Sequence, residues 1–160
     1  MLPIGSAAPA FELPDETGAV HRLEDVLRRG PLVLFIYPAD FTPVCTRQAC
    51  MFREAWRGLD HAGVRVLGVS PQGAASHERF SASNRLPFPL LSDPDRRVLR
   101  AYGAISAFGL TKRVTYFIDG AGIVRDRVRA GWRISRHEAL VDRVLRAVRE
   151  PSPAQAAADC

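Results

Sequence analysis

Six consecutive apolar residues, Leu32-Val33-Leu34-Phe35-Ile36-Tyr37, constrain this chain more than any other stretch. The run is rich in β-formers and has no polar alternation, so neither face of the strand it forms can be left in water. Such a strand belongs in the middle of a sheet with layers packed on both sides. At six residues it is far short of the roughly 18 apolar residues that a membrane span needs. Pro38 to Phe41 then forms a loop that leads into a helix. Thr42 suits the N-cap position, and Pro43 at the first helical position gives up no hydrogen bond. The helix is predicted from Pro43 to about His61.

The other elements follow from pattern and punctuation. Phe11 to Leu13 and Val20 to Leu23 flank a Pro14-to-Gly18 turn composition, which predicts an N-terminal β-hairpin. Val64 to Ser70 reads as a second buried strand and Ala74 to Arg85 as a second helix. Ser92-Asp93-Pro94-Asp95 supplies start chemistry for a short helix ending near Tyr102-Gly103. Val114–Ile118 and Val124–Val128 read as strands joined by the hairpin turn Asp119 to Gly122. Ser135 is expected to cap a closing amphipathic helix with Leu140, Val144, Leu145 and Val148 on its inner face. This order predicts an α/β protein with a central mixed β-sheet flanked by helices, as in thioredoxin-like folds.

The 160 residues suit one domain, expected over 1–150, with 151–160 reading as a flexible C-terminal tail ending in Cys160. The N-terminus has no basic start and no apolar core of a signal peptide, so a cytoplasmic, non-membrane location is expected. The net charge of +5 comes from 22 basic residues, all arginine except Lys112. They are spread along the chain with some density from Arg125 to Arg149, where Trp132 alone is interleaved, which argues for solvated faces and against a nucleic-acid partner.

Three cysteines are too few for a secreted disulfide scaffold. Cys45 falls in the first turn of the Pro43 helix. Uncommitted backbone N–H groups and the positive end of the helix dipole there favour a thiolate, the nucleophilic form. The Thr42 hydroxyl is close enough to meet that sulfur or an oxygen bound to it. Cys50 follows five residues later. In an intact helix this means about 140° of rotation and a rise of about 7.5 Å, with α-carbons about 9 Å apart. A disulfide needs less than about 7 Å, so any bond between the two requires the helix start to unwind, and it would be strained and readily reduced. The spacing lacks a zinc-type C-x-x-C, and His21, His61, His77 and His137 are scattered singly, so no metal is expected. Asp40 places a negative charge near the nucleophile.

These residues resemble a known family. Pro38-x-x-x-Thr42-x-x-Cys45 matches the peroxiredoxin active-site signature. The longer run from Phe35 to Cys50 resembles the peroxiredoxin Q branch, also called bacterioferritin comigratory protein. Ala8 to Asp15, Val66 to Ser70 and Leu90 to Asp93 resemble that branch's opening, second core strand and later loop. Arg113, just before Val114, sits where the family carries its active-site arginine. By this resemblance Cys45 is the peroxidatic cysteine and Cys50 the resolving one. Pro38 shields the site, while Thr42 and Arg113 bind the peroxide and stabilise charge on its departing oxygen.

The implied activity is reduction of hydrogen peroxide and organic hydroperoxides without metal, flavin or nucleotide cofactor. Thioredoxin or glutaredoxin is the expected reductant, and a monomer or weak homodimer the expected state. Two features depart from the pattern. The Tyr102-to-Lys112 stretch looks short, which predicts a more open rim, and Cys160 has no counterpart. A thioredoxin-type oxidoreductase would want C-x-x-C at the helix start, which is absent. A non-enzymatic peroxide sensor shares the first chemical step and is distinguished only by turnover.

Overall fold

A computed structural model describes residues 1–150; the expected tail at 151–160, and with it Cys160, lies outside the described residues. The chain opens on an antiparallel hairpin, β1 (Glu12–Pro14) and β2 (Val20–Arg22), as its turn composition predicts. A helix that the sequence reading passed over follows directly, α1 (Leu23–Arg29). Only Leu23 and Val26 of α1 are buried, so its mostly charged sequence carries a weak periodic signal. Gly30 ends it with φ 146°, and a Cβ there would lie 2.1 Å from the Gly63 carbonyl oxygen, so only glycine fits.

The apolar run becomes β3 (Leu32–Ile36), with every residue buried. After it come α2 (Pro43–His61), β4 (Arg65–Ser70) and α3 (Ala74–Asn84), close to the predicted bounds. Leu90–Ser92, read from sequence as loop, is a third parallel strand, β5, short enough that composition alone does not mark it. The short helix is α4 (Arg97–Ala101), and the Asp93 carboxylate accepts from the Leu99 N–H at 2.9 Å from ahead of it. The chain closes with β6 (Val114–Ile118), β7 (Val124–Arg129) and α5 (Ile134–Arg149). Ser135 does not cap α5. The helix begins one residue earlier, Arg133 holds the cap position, and no side chain caps it. Ser135 therefore lies inside the first turn, past the position from which a hydroxyl can reach the leading N–H groups.

The five-stranded sheet has the order β5-β4-β3-β6-β7, with β3, β4 and β5 parallel and β6 and β7 antiparallel to their neighbours. Alternate residues of β3 feed two separate cores. Leu32, Leu34 and Ile36 pack with Phe11, Leu23, Leu99 and Tyr102 under the hairpin, α1 and α4. Val33, Phe35 and Tyr37 pack with Phe52, Phe80 and Leu140 under α2, α3 and α5. That two-sided packing is why the run shows no alternation. Phe35 stacks on Phe52 at 4.5 Å between ring centroids, which seats α2 on the sheet directly beyond its first turns. Gly68 on β4 leaves that space clear, since a Cβ there would meet Phe35 and Leu90 at 2.7 Å. Among the described residues no helix is long and apolar enough to cross a membrane.

Candidate active site

The sheet order brings the site together. β3 and β6 are antiparallel neighbours with Ile36 opposite Val114, so the C-terminal end of β3 and the start of β6 lie side by side. The loop from β3 runs through Pro38, Asp40 and Phe41 (φ 63°) to Thr42, whose extended backbone turns the chain into Pro43 at the head of α2. Cys45 is thus the third residue of α2 and only 2% exposed. Arg113, the residue before β6, reaches it from the neighbouring strand.

The Arg113 side chain is itself buried at 8% exposure and makes three directed hydrogen bonds. Nη2 donates to Cys45 Sγ at 3.2 Å, Nη1 to Gln48 Oε1 at 2.6 Å, and Nε to the Gly131 carbonyl at 2.9 Å. A planar fork held at three corners aims one donor at the sulfur with little freedom to swing. Gln48 was not singled out from sequence. It is fully buried one turn beyond Cys45, a position where a polar residue facing the sheet side of α2 is the signal.

Thr42 stands at the cap position, but its hydroxyl neither caps α2 nor touches the sulfur. It donates to the Ala39 carbonyl at 3.1 Å. Pro38 lines a cavity of about 410 Å³ with Val44, Thr111, Arg113, Gly131 and the 81%-exposed Trp132. A cavity of about 490 Å³, between α1, the end of α2 and the start of β4, contains neither cysteine.

Cys50 lies further along the same unbroken helix, half-buried, and its thiol donates to Asn84 Oδ1 of α3 at 3.7 Å. Arg53 Nη1 donates to the Asn84 carbonyl at 2.7 Å and ties this part of α2 to α3. Both cysteines are free. They lie five residues apart in one continuous helix.

Asp40 does not face the sulfur. Its carboxylate is buried against α3 and accepts from the Tyr37 hydroxyl at 2.7 Å and from Ser76 at 2.7 Å, with His77 Nδ1 also at 2.7 Å. Burial alone pushes the Asp40 carboxyl up, but the hydrogen bonds from His77, Tyr37 and Ser76 outweigh it and hold it below its ordinary value. The Tyr37 phenol is raised well above its ordinary value, first by burial and then by the adjoining Asp40 charge. This cluster anchors the loop just upstream of Cys45. His77 and His137, unremarkable in sequence, are both fully buried and hydrogen-bonded.

A family model described as the AhpC/TSA family matches residues 4–127. Among curated proteins, a peroxiredoxin bcp of Coxiella burnetii is 40% identical over 128 residues, 76% of this chain and 84% of that one. The chloroplastic peroxiredoxin Q of Oryza sativa subsp. japonica is 44% identical over 123 residues, and the chain spans 56% of its length. The solved structure of peroxidoxin BcpB from Mycobacterium tuberculosis superposes with a TM-score of 0.87 at 33% identity, covering 94% of this chain and all of that one (100%). A bacterioferritin comigratory protein of Xanthomonas campestris, whose structures were determined to explain its alkyl peroxide reduction activity, gives a TM-score of 0.76 at 30% identity over 87% of this chain and 90% of that one. With its five-stranded mixed sheet and an arginine on a cysteine at the head of a helix, the chain belongs to the AhpC/TSA family, on its peroxiredoxin Q, or bacterioferritin comigratory protein, branch.

Proposed function

We propose that this chain is a thiol-dependent peroxidase that reduces hydrogen peroxide and organic hydroperoxides, with Cys45 as nucleophile and Cys50 as resolving thiol. The observation that carries the reading is the 3.2 Å contact from Arg113 Nη2 to Cys45 Sγ at the start of α2. The guanidinium and the helix start stabilise negative charge on the sulfur, and the same donors suit the oxygen that leaves it. The Cys45 thiolate attacks the distal oxygen of the hydroperoxide. The S–O bond forms as the O–O bond breaks, and the departing alkoxide or hydroxide takes a proton to leave as alcohol or water. Cys45 becomes a sulfenic acid. The Cys50 thiolate then attacks that sulfur and expels hydroxide, which leaves as water, and the S–S bond forms. An external dithiol protein of the thioredoxin or glutaredoxin type supplies two electrons and restores both thiols.

Pro38 and the wall with Trp132 limit water around the sulfur, and the Thr42 hydroxyl turns from Ala39 to the bound peroxide. α2 must open between the two sulfurs before the disulfide can close, because an intact helix keeps them out of bonding range. Rapid mixing with hydrogen peroxide, followed by tryptophan fluorescence, tests the cycle; Trp56 on α2 is the reporter. Cys45→Ser is expected to abolish peroxide consumption. Cys50→Ser is expected to react once per chain and then stall or over-oxidise. Full turnover by Cys45→Ser refutes the assignment.

A further inference from the structure

Two successive carbonyls in the connection from β7 to α5 serve different partners. The Gly131 oxygen accepts from Arg113 Nε at 2.9 Å. The Ala130 oxygen lies 3.0 Å from Nε2 of His137, a fully buried residue of α5. The other ring nitrogen, Nδ1, is 2.8 Å from the hydroxyl of Thr115, also fully buried. A carbonyl can only accept, so Nε2 carries the proton and Thr115 donates into the Nδ1 lone pair. Burial, helped by the positive charge of Arg113, lowers the His137 pKa and so keeps the ring in this neutral form. Thr115 stands two residues after Arg113, on the strand that Arg113 leads into. His137 therefore ties the strand that carries Arg113 to the loop that accepts from it.

We propose that His137 is a positioning residue for Arg113: it pins Ala130, which fixes the Gly131 carbonyl, which aims the guanidinium at Cys45. The inference rests on the reading of Arg113 given under the proposed function. Without the Ala130 bond the loop loses its attachment to α5 on this side. The guanidinium then keeps only Gln48 and the sulfur as fixed partners and turns more freely. The geometry matters most where charge develops on the departing oxygen of the peroxide, because a donor displaced by a fraction of an ångström there loses much of its value.

Two reactions of Cys45 in full-length Cys50→Ser protein separate positioning from general loosening. One is oxidation by hydrogen peroxide, read by stopped-flow fluorescence. The other is alkylation by iodoacetamide, read by mass spectrometry of the Cys45 peptide, in which iodide leaves and no donor to oxygen is needed. His137→Leu is expected to lower the peroxide rate constant about tenfold, the equivalent of one lost directed hydrogen bond, and to lower the ratio of peroxide to alkylation rates at least about fivefold. His137→Gln, whose amide can still donate to Ala130, is expected to stay within about twofold of the parent. Thr115→Val removes only the hydroxyl that orients the ring. It is expected to cost about threefold, and it carries the test if His137→Leu does not fold. Arg113→Met keeps the two ideas apart. If it oxidises as fast as the parent, the proposed role of Arg113 fails. If it is slow while His137→Leu and Thr115→Val react normally, the positioning role of His137 fails. Equal losses in oxidation and alkylation for His137→Leu also overturn it.

Discussion

Gln48→Met would cut the 2.6 Å hydrogen bond from Arg113 Nη1 and leave the guanidinium only its bonds to Gly131 and Cys45. The stability cost of losing a bond from a charged donor is about 1.5–3 kcal/mol. A second effect runs the other way. Gln48 Nε2 is buried with no hydrogen-bond partner among the described residues, and the penalty for such an orphan, about 1–3 kcal/mol, disappears with the amide. Methionine has a similar length and adapts to irregular space. The two effects nearly cancel, so the melting temperature should move by less than about 4 °C, the shift for roughly 1 kcal/mol in a protein of this size. Catalysis has no such offset. With one corner of the fork free, the donor aimed at the sulfur loses its fixed direction, and the second-order rate constant with hydrogen peroxide should fall about tenfold, or about 1.4 kcal/mol in the barrier. Differential scanning calorimetry and stopped-flow oxidation under excess peroxide measure the two quantities on the same sample. A melting temperature lower by more than about 8 °C, or an unchanged rate constant in folded protein, refutes the reasoning.

Gly30→Ala should destabilise by about 3 kcal/mol or more in urea unfolding, because its Cβ would meet the Gly63 carbonyl oxygen at 2.1 Å and neither backbone can retreat cheaply; a midpoint equal to the parent's would show that this turn relaxes. The Asp40 carboxyl is held below its ordinary value of 3.8, so its contribution to stability is present above that pH and lost as pH falls through the folded value. Urea midpoints should therefore drop steeply below about pH 4 in the parent and less steeply in Asp40→Asn. His137 has a folded pKa lowered from 6.5, first by burial, so the unfolded chain takes up its proton at higher pH than the folded chain does. Its share of stability is present above pH 6.5 and declines below it, by at most about 1.4 kcal/mol per pH unit, and the difference between pH 5 and pH 8 should shrink in His137→Gln.

The parts of the molecule with strong local signals were legible in the sequence. An unbroken apolar run becomes β3, and the Thr42-Pro43 pair starts α2 where the chain enters it. Cys45 and Arg113 could be named in advance, and they meet because β6 lies beside β3, a pairing that no local pattern encodes. Gln48 and His137 act through long-range partners, 65 and 22 residues away in the case of Arg113 and Thr115, so their roles emerge only when the strands are ordered. The two hydroxyls that do not cap have a different cause. Thr42 and Ser135 are residue types that cap helices, yet Thr42 holds the cap position with its hydroxyl donating to the Ala39 carbonyl, and Ser135 falls two positions past the cap of α5. Capping propensity marks the neighbourhood of a helix start, while the cap bond itself requires the hydroxyl oxygen to face a leading N–H group.

The continuity of α2 across both sulfurs has a cost that grows with robustness. On the proposed cycle each turnover must melt part of the longest helix among the described residues, from a stretch tied down by Phe52 on the sheet and by Arg53 on α3. A substitution that makes this helix tougher, such as a better helix former at Gly58, would raise heat resistance and lengthen the life of the oxidised sulfur before its partner arrives. Thermal endurance and vulnerability to a second oxidising hit would then rise together, so on the proposed cycle the strength of this one helix has an upper bound set by turnover.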